Sequence, residues 1–410
     1  MRSTPTLRPR ITRAKRRNLD AGRTRIRALR ASVRIAGAAT LLLAALAIGP
    51  RADREQVLHD LARIGAEHRD STEWDRRRCE LRREFLKGAG LWPLPKRGPY
   101  SVLRHSLRQY DGYTVENVAI ETLPGFYCTG NLYRPLPALA AAKTRGPGIL
   151  CPHGHFKPLG RFRPEHQIRC AHLAQRGATV FSYSMVGWQD STQTTHDDPI
   201  VLALQTWNSL KALDFLCSLP DVDSERVGMT GASGGGTQTL YLALLDDRVK
   251  ASAPVVIVYP WSAPEGCCRC EGGMPVMRAA GTNCIEFAAA VAPRPQLILS
   301  VGQDPTHDFP EVGLPFVRRA YDAYRAGHRV ESVHLPNEAH DFGPSKRAAV
   351  YSFLARNLGF EDRPEDLSRI TVEQPSQMEV FSPSHPLPSN AVHGTAAVSH
   401  AFAALRTGQK

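Results

Sequence analysis

The stretch Gly231-Ala232-Ser233-Gly234-Gly235 sets one serine among small residues, after an apolar run (RVGMT) and before a helix-like one (TQTLYLALL). This is G-x-S-x-G in the strand–turn–helix context that gives the pattern its meaning. The turn is tight, so the serine takes a strained backbone conformation, and small neighbours avoid clashes there. The strain lifts the Ser233 hydroxyl above the sheet edge. The N–H groups of the helix that starts at Gly234 then point at the reaction centre and stabilise negative charge. No lysine follows, as a phosphate-binding glycine loop would require. The chemistry this suits is nucleophilic attack on an acyl carbon.

A serine hydroxyl is a weak nucleophile and needs a base. His340 lies in NEAHDFG, after the last expected strand and before the last helix, where such a base belongs. An acid should follow the preceding strand, and LILSVGQDPTHDFP offers Asp304 and Asp308. Asp304 sits at the strand tip and is favoured; Asp308 lies deeper in the loop. Its role is to orient His340 and stabilise the imidazolium. Asp341 is adjacent to the base in sequence, so its side chain is badly placed to reach the ring. Two backbone N–H groups should hold the oxyanion. One comes from Gly234 and the other from the loop Pro152-His153-Gly154-His155-Phe156, through His155 or Phe156.

Two further loops face the same rim. MVGWQDSTQTTH carries Trp188, Asp190 and His196, and CCRCEGG carries Arg269 and Glu271. Trp188 and Glu271 are candidates for substrate binding, and Glu271 is also an alternative acid. The nine cysteines are odd in number, and Cys267, Cys268, Cys270 and Cys284 cluster. These four suit free thiols or a disulfide. They suit a zinc site less, because three crowd into CCRC, away from the usual C-x2-C spacing. The expected chemistry needs no cofactor, and no metal site is expected.

These residues must be held by alternating strands and helices. Residues 51–90 read as helix, with Leu58, Leu61, Ile64, Trp74, Leu81 and Phe85 as a sparse apolar stripe. VENVAIET and FYCTGNLYRP, split by Leu-Pro-Gly, read as an antiparallel hairpin. Strands then follow at GILCP, ATVFSYSM, RVGMT, VKASAPVVIVYP, QLILSVG and VESVHLP, with helices at 199–218, 315–327 and 344–358. The pattern predicts an α/β fold, a mostly parallel sheet with helices on both faces. Ligands of such sheets sit at the carboxyl ends of the strands. The expected organisation is 1–50 as basic segment plus signal peptide or anchor, 51–100 as N-terminal helical segment, 101–360 as catalytic domain and 361–410 as disordered tail.

From about Trp74 to Gly359 the chain resembles the acetyl xylan esterase-like branch of the α/β-hydrolases, neighbours of the dienelactone-hydrolase and glucuronoyl-esterase groups. The likeness rests on GLWPLP, CPHGH, MVGWQDS, GASGGGTQT, CRCEGG, APRPQLILSVGQD and EAHDFGPSKRAAVYSFL. It implies an α/β-hydrolase fold, the triad Ser233, Asp304 and His340, and an acyl-enzyme on Ser233. The implied substrate is an acetyl or related ester on carbohydrate. Family members often carry Asp-Trp-Thr where this chain has Asp304-Pro305-Thr306, a departure that touches the pocket wall and leaves the acid in place.

The net charge of +13 does not argue for nucleic acid. Residues 1–34 hold twelve Arg or Lys against Asp20 alone, so the rest of the chain is near balance. The basic stretch leads into an apolar run, Ile35–Ile48, too short for an ordinary span, with Ala45-Leu46-Ala47 as a cleavage site. Export is the expectation, with membrane attachment only if 35–48 stays as an anchor. Two rival readings remain. One is a peptidase of the prolyl-oligopeptidase type, for whose large N-terminal propeller the roughly 100 residues before the core leave too little chain. The other is a silent binding protein on a hydrolase scaffold, although such proteins commonly lose the serine or histidine present here.

Overall fold

A computed structural model describes residues 54–136, 145–259, 268–271 and 281–407 of the 410. The expected leader or anchor, its cleavage site and Cys267 lie outside the described residues. Among these residues no helix is long and apolar enough to cross a membrane.

The charged N-terminal segment forms two helices, α1 (Arg54–Glu67) and α2 (Ser71–Gly88), where the sequence suggested one. The break has a local cause. Asp70 caps α2 by accepting from the Glu73 N–H at 2.9 Å, and the Glu73 carboxylate accepts back from the Asp70 N–H. Of the expected stripe, Leu61, Ile64, Trp74, Leu81 and Phe85 are buried, whereas Leu58 is exposed.

The described strands form one nine-stranded sheet in the order β1-β2-β3-β5-β4-β6-β7-β8-β9. β1 (Val102–Tyr110), β2 (Tyr113–Leu123) and β3 (Phe126–Pro135) are antiparallel, and β3 pairs antiparallel with β5 (Thr179–Tyr183). From β5 through β4 (Gly146–Leu150), β6 (Val222–Ala232), β7 (Ala251–Val255), β8 (Gln296–Val301) and β9 (Val330–Leu335) every pairing is parallel. Both the hairpin and the parallel run agree with the sequence pattern. The strand it missed is β1, whose side chains are mostly exposed and carry no apolar alternation.

Helices cover both faces, which is why the parallel strands are nearly continuous apolar runs. On one face lie α4 (Val201–Ser218), α5 (Gly234–Leu245), α6 (Cys284–Ala289) and α7 (Leu314–Ala323), which bury Trp207, Leu240, Phe287 and Tyr321. On the other lie α3 (Pro164–Gln175) and α8 (Pro344–Leu358), which bury Cys170, Leu173, Val350 and Leu354. This is the α/β-hydrolase arrangement, with β4, β6, β8 and β9 each delivering a loop to the same rim.

The disordered tail expected for 361–410 is corrected. Residues 361–407 run back over the antiparallel strands and end in helix α10, here numbered after the short α9 (Pro375–Met378) and spanning Gly394–Thr407. Met378, Val380 and Val398 are fully buried. Glu373 receives two hydrogen bonds from Arg108, at 2.7 and 2.9 Å, and one from Tyr110. Arg161, fully buried, forms a two-point pair with Asp190 at 2.7 and 2.8 Å and also reaches the Met378 carbonyl; Asp190 accepts from the Val380 N–H. The segment is held by polar side chains meeting its backbone, so it leaves little apolar periodicity to read. Truncating Met378 to Ala should therefore cost about 2–5 kcal/mol of unfolding free energy, the range for emptying a buried methionine site. Urea unfolding measures this; an unchanged midpoint would mean the segment is not part of the folded body.

Candidate active site

Ser233 ends β6 and caps α5 with φ 56° and ψ −127°, a left-handed conformation that non-glycine residues avoid. Holding it there costs about 1–3 kcal/mol, which the surroundings must overcome. They do so by close approach. A Cβ on Gly154 would lie 2.4 Å from the Ala232 carbonyl oxygen and 3.1 Å from the Ser233 Cβ. A Cβ on Gly235 would lie 2.5 Å from the Pro152 carbonyl oxygen. The loop after β4 is thus pressed against the serine turn, and only glycines permit it.

Gly234 is the first residue of α5, so its N–H lacks an intrahelical acceptor. In the β4 loop the Phe156 N–H is taken by the Gly154 carbonyl at 2.8 Å, which leaves His155 outside that turn. The His155 ring lies against Gly234: a Cβ there would be 2.6 Å from its Cε1. Of the two expected donors, Phe156 has its N–H engaged within the turn, so His155 is the one kept as the candidate.

β8 and β9 pair in parallel through Val301 and Leu335, so the loops that follow them are neighbours. His340 Nδ1 lies 2.7 Å from Asp304 Oδ2. The other carboxylate oxygen, Oδ1, accepts from the Thr306 N–H at 2.7 Å and its hydroxyl at 2.5 Å. Burial would raise the Asp304 carboxyl, but hydrogen bonds from His340 and Thr306 prevail and hold it below the ordinary range. An ionised carboxylate on Nδ1 leaves Nε2 as the working nitrogen. Asp308 faces the His307 ring at 3.1 Å instead. Asp341 pairs with Lys346 at 2.7 Å, and Lys346, fully buried, also grips Glu338, so the histidine loop is anchored on both sides. Among the described residues no hydrogen bond joins the Ser233 hydroxyl to His340. The Phe156 ring centre is 6.3 Å from that of His340. A serine–histidine bond of this kind commonly tightens only with substrate.

The remaining candidates fall differently. Glu271 accepts from the Thr237 hydroxyl at 3.1 Å and lies 3.8 Å from His155 Nδ1, and burial pushes its carboxyl up. It does not bond to the His340 ring, so the alternative acid is not supported by the geometry. Trp188, expected against substrate, is buried and corrected to a packing role. Its indole meets the rings of His153, His155 and His196 at 5.4, 5.9 and 5.7 Å.

A group the sequence reading did not assemble lies beside this. His155 Nε2 is 3.0 Å from His196 Nε2 and 3.1 Å from Cys270 Sγ, and Cys268 Sγ is 3.0 Å from His196 Nε2. Hydrogen bonding to Cys270, then to the two histidines, draws the Cys268 thiol down to about 2 despite burial. No disulfide joins any two of the described cysteines. The crowded CCRC spacing disfavoured a metal only because the two histidines come from separate loops, which no local spacing reveals.

Comparison with known proteins fits this geometry. The family model for acetyl xylan esterase (AXE1) matches residues 207–263. The solved methylesterase BT1017 superposes with a TM-score of 0.77 and 38% identity, over 87% of this chain and 82% of its own. A glucuronoyl esterase from Teredinibacter turnerae T7901 shares the fold, with a TM-score of 0.53 and 14% identity over 70% of this chain and 85% of its own. YtaP of Bacillus subtilis (strain 168), which carries the name of a hydrolase, is 26% identical over 42% of this chain. That match spans 62% of YtaP's own length, less than two thirds.

The geometry separates the two aspartates. Asp304→Asn should leave the fold intact and lower kcat by about 10⁴, as when an amide fixes the wrong imidazole tautomer in a serine protease. Asp308→Asn and Glu271→Gln should remain far closer to wild type. Kinetics on an activated acetyl ester, with circular dichroism for folding, decides; a folded, active Asp304→Asn enzyme would remove Asp304 from the site.

Proposed function

The chain belongs to the acetyl xylan esterase-like family of α/β-hydrolases, and on that premise we propose that it is a serine esterase acting on carboxylic esters of carbohydrate. The observation that carries this reading is the Asp304–His340 hydrogen bond beside a serine held in the strained turn. His340 Nε2 takes the Ser233 proton as Oγ adds to the ester carbonyl. The oxyanion is met by the Gly234 and His155 N–H groups; one such donor is worth a factor of about 10²–10³ in rate. As the intermediate collapses, His340 returns the proton to the departing alkoxide and leaves an acyl-Ser233. Water, deprotonated by the same nitrogen, then releases the acid and restores the hydroxyl. Asp304 stays ionised throughout and stabilises the imidazolium.

A cavity of about 370 Å³ lies beside the serine turn, lined by Gly154, Phe156, Arg163, Ala232, Asp341 and Phe342, with neither Ser233 nor His340 in its walls. Two ester types fit. In an acetyl ester the sugar is the leaving alcohol. In a methyl ester the sugar must carry the carboxyl group, and methanol leaves. The family model supports the first, and the likeness to a methylesterase over most of the chain supports the second. Export remains part of the proposal, on the basic and apolar N-terminus.

Side-by-side kcat/KM values on p-nitrophenyl acetate, acetylated xylan and a glucuronate methyl ester test the reading. Activity on acetylated xylan or the methyl ester, lost in Ser233→Ala, supports it. Cleavage of a prolyl peptide with neither carbohydrate ester touched would replace it with the peptidase reading.

A further inference from the structure

We propose that His155, His196, Cys268 and Cys270 form a tetrahedral zinc site that ties together the three loops around the serine. The four donor atoms, two imidazole nitrogens and two sulfurs, all lie within 4.8 Å of one another. Zinc holds nitrogen at about 2.0–2.1 Å and sulfur at about 2.3 Å, so donors around it stand about 3.3–3.8 Å apart. The contacts of 3.0–3.1 Å need to open by well under 1 Å to admit the ion.

The histidine tautomer argues for a cation. His196 Nδ1 lies 2.6 Å from the Val186 carbonyl oxygen, which can only accept. Nδ1 therefore carries the proton, and in the neutral ring Nε2 is a bare lone pair. His155 turns Nδ1 toward the Glu271 carboxylate at 3.8 Å and aims Nε2 into the same point. With both rings neutral and protonated on Nδ1, the two Nε2 lone pairs meet at 3.0 Å with no hydrogen between them, a contact that a cation relieves. A backbone carbonyl behind one metal-binding histidine and a carboxylate behind the other is the usual outer arrangement, which fixes the tautomer. Trp188 packs against both rings. Two sulfurs and two nitrogens in a tetrahedron select zinc over magnesium or calcium. As ligands both cysteines are thiolates, and their two charges neutralise the divalent ion.

With four protein donors, the site has no open position for water, so the role is structural. The ligands come from the β4 loop, the loop between β5 and α4, and the segment after β7. Among the described residues around the four ligands, regular structure is limited to the 3-10 turn Arg269–Glu271, which carries Cys270. The ion would hold His155 where its N–H faces the oxyanion position, and Glu271 beside Thr237. The site stands on its own donors and does not require the esterase reading.

The test is metal analysis of the full chain, purified reduced and incubated with zinc, then dialysed. Wild type should retain about one zinc per chain, and Cys268→Ser should lose most of it. Cys79→Ser, at an exposed cysteine, should retain it. Replacing zinc with cobalt(II) should give the strong visible bands and thiolate charge transfer of a tetrahedral thiolate site, absent in Cys268→Ser. Reduced wild type that takes up neither ion overturns the proposal, whatever the variants do. So does a cobalt spectrum without thiolate charge transfer, or a Cys268–Cys270 disulfide that persists as the stable form in the presence of zinc.

Discussion

The backbone of Ser233, held at φ 56° between a buried strand and a buried helix, constrains much of what surrounds it. A residue in that conformation persists only where its neighbours over-determine it. Here the neighbours are the first turn of α5, the β4 loop pressed onto it through Gly154 and Gly235, and β7, whose Val255 carbonyl accepts from the Ser233 N–H at 3.1 Å. The same closeness that strains the serine sets the His155 ring against Gly234, the first residue of α5.

The base is positioned by different means. Register between β8 and β9 puts two loops side by side, and within them a short chain of hydrogen bonds does the rest. The Val301 N–H meets the Thr306 hydroxyl, Thr306 holds one oxygen of Asp304, and the other oxygen holds His340. Pro305 stands inside this chain without breaking it, because the donors come from Thr306. Lys346 gives the histidine loop its second anchor from α8. Farther out, the buried Arg161–Asp190 pair connects the loop after β5 to the C-terminal segment. Truncating either partner would leave an unpaired buried charge, which is strongly destabilising.

Sequence pattern exposed the parts of this that follow from periodicity or local motif. The six parallel strands are apolar runs, the β2–β3 hairpin has its Leu-Pro-Gly turn, and α8 falls on 344–358 as expected. Ser233, Asp304 and His340 drew notice because each follows a strand, and the structure joins Asp304 to His340 and holds Ser233 in a strained turn. What stayed hidden depends on distant polar contacts. β1 shows no alternation because its faces are exposed. Residues 361–407 are fixed through Arg108, Asp190 and Asn131, far away in sequence. Trp188 looked like a substrate platform because only the fold shows three histidine rings covering it. The histidine–cysteine cluster draws on three loops, so no spacing within one of them could signal it.

The central claim is that Ser233 carries the acyl group, and covalent capture tests it most directly. The full chain is treated with a fluorophosphonate probe, and the modified peptide is located by mass spectrometry. The account predicts near-stoichiometric modification on the peptide holding Gly231-Ala232-Ser233, absent from folded Ser233→Ala and strongly slowed in His340→Ala. Modification at another residue, or undiminished labelling of Ser233→Ala, would contradict it.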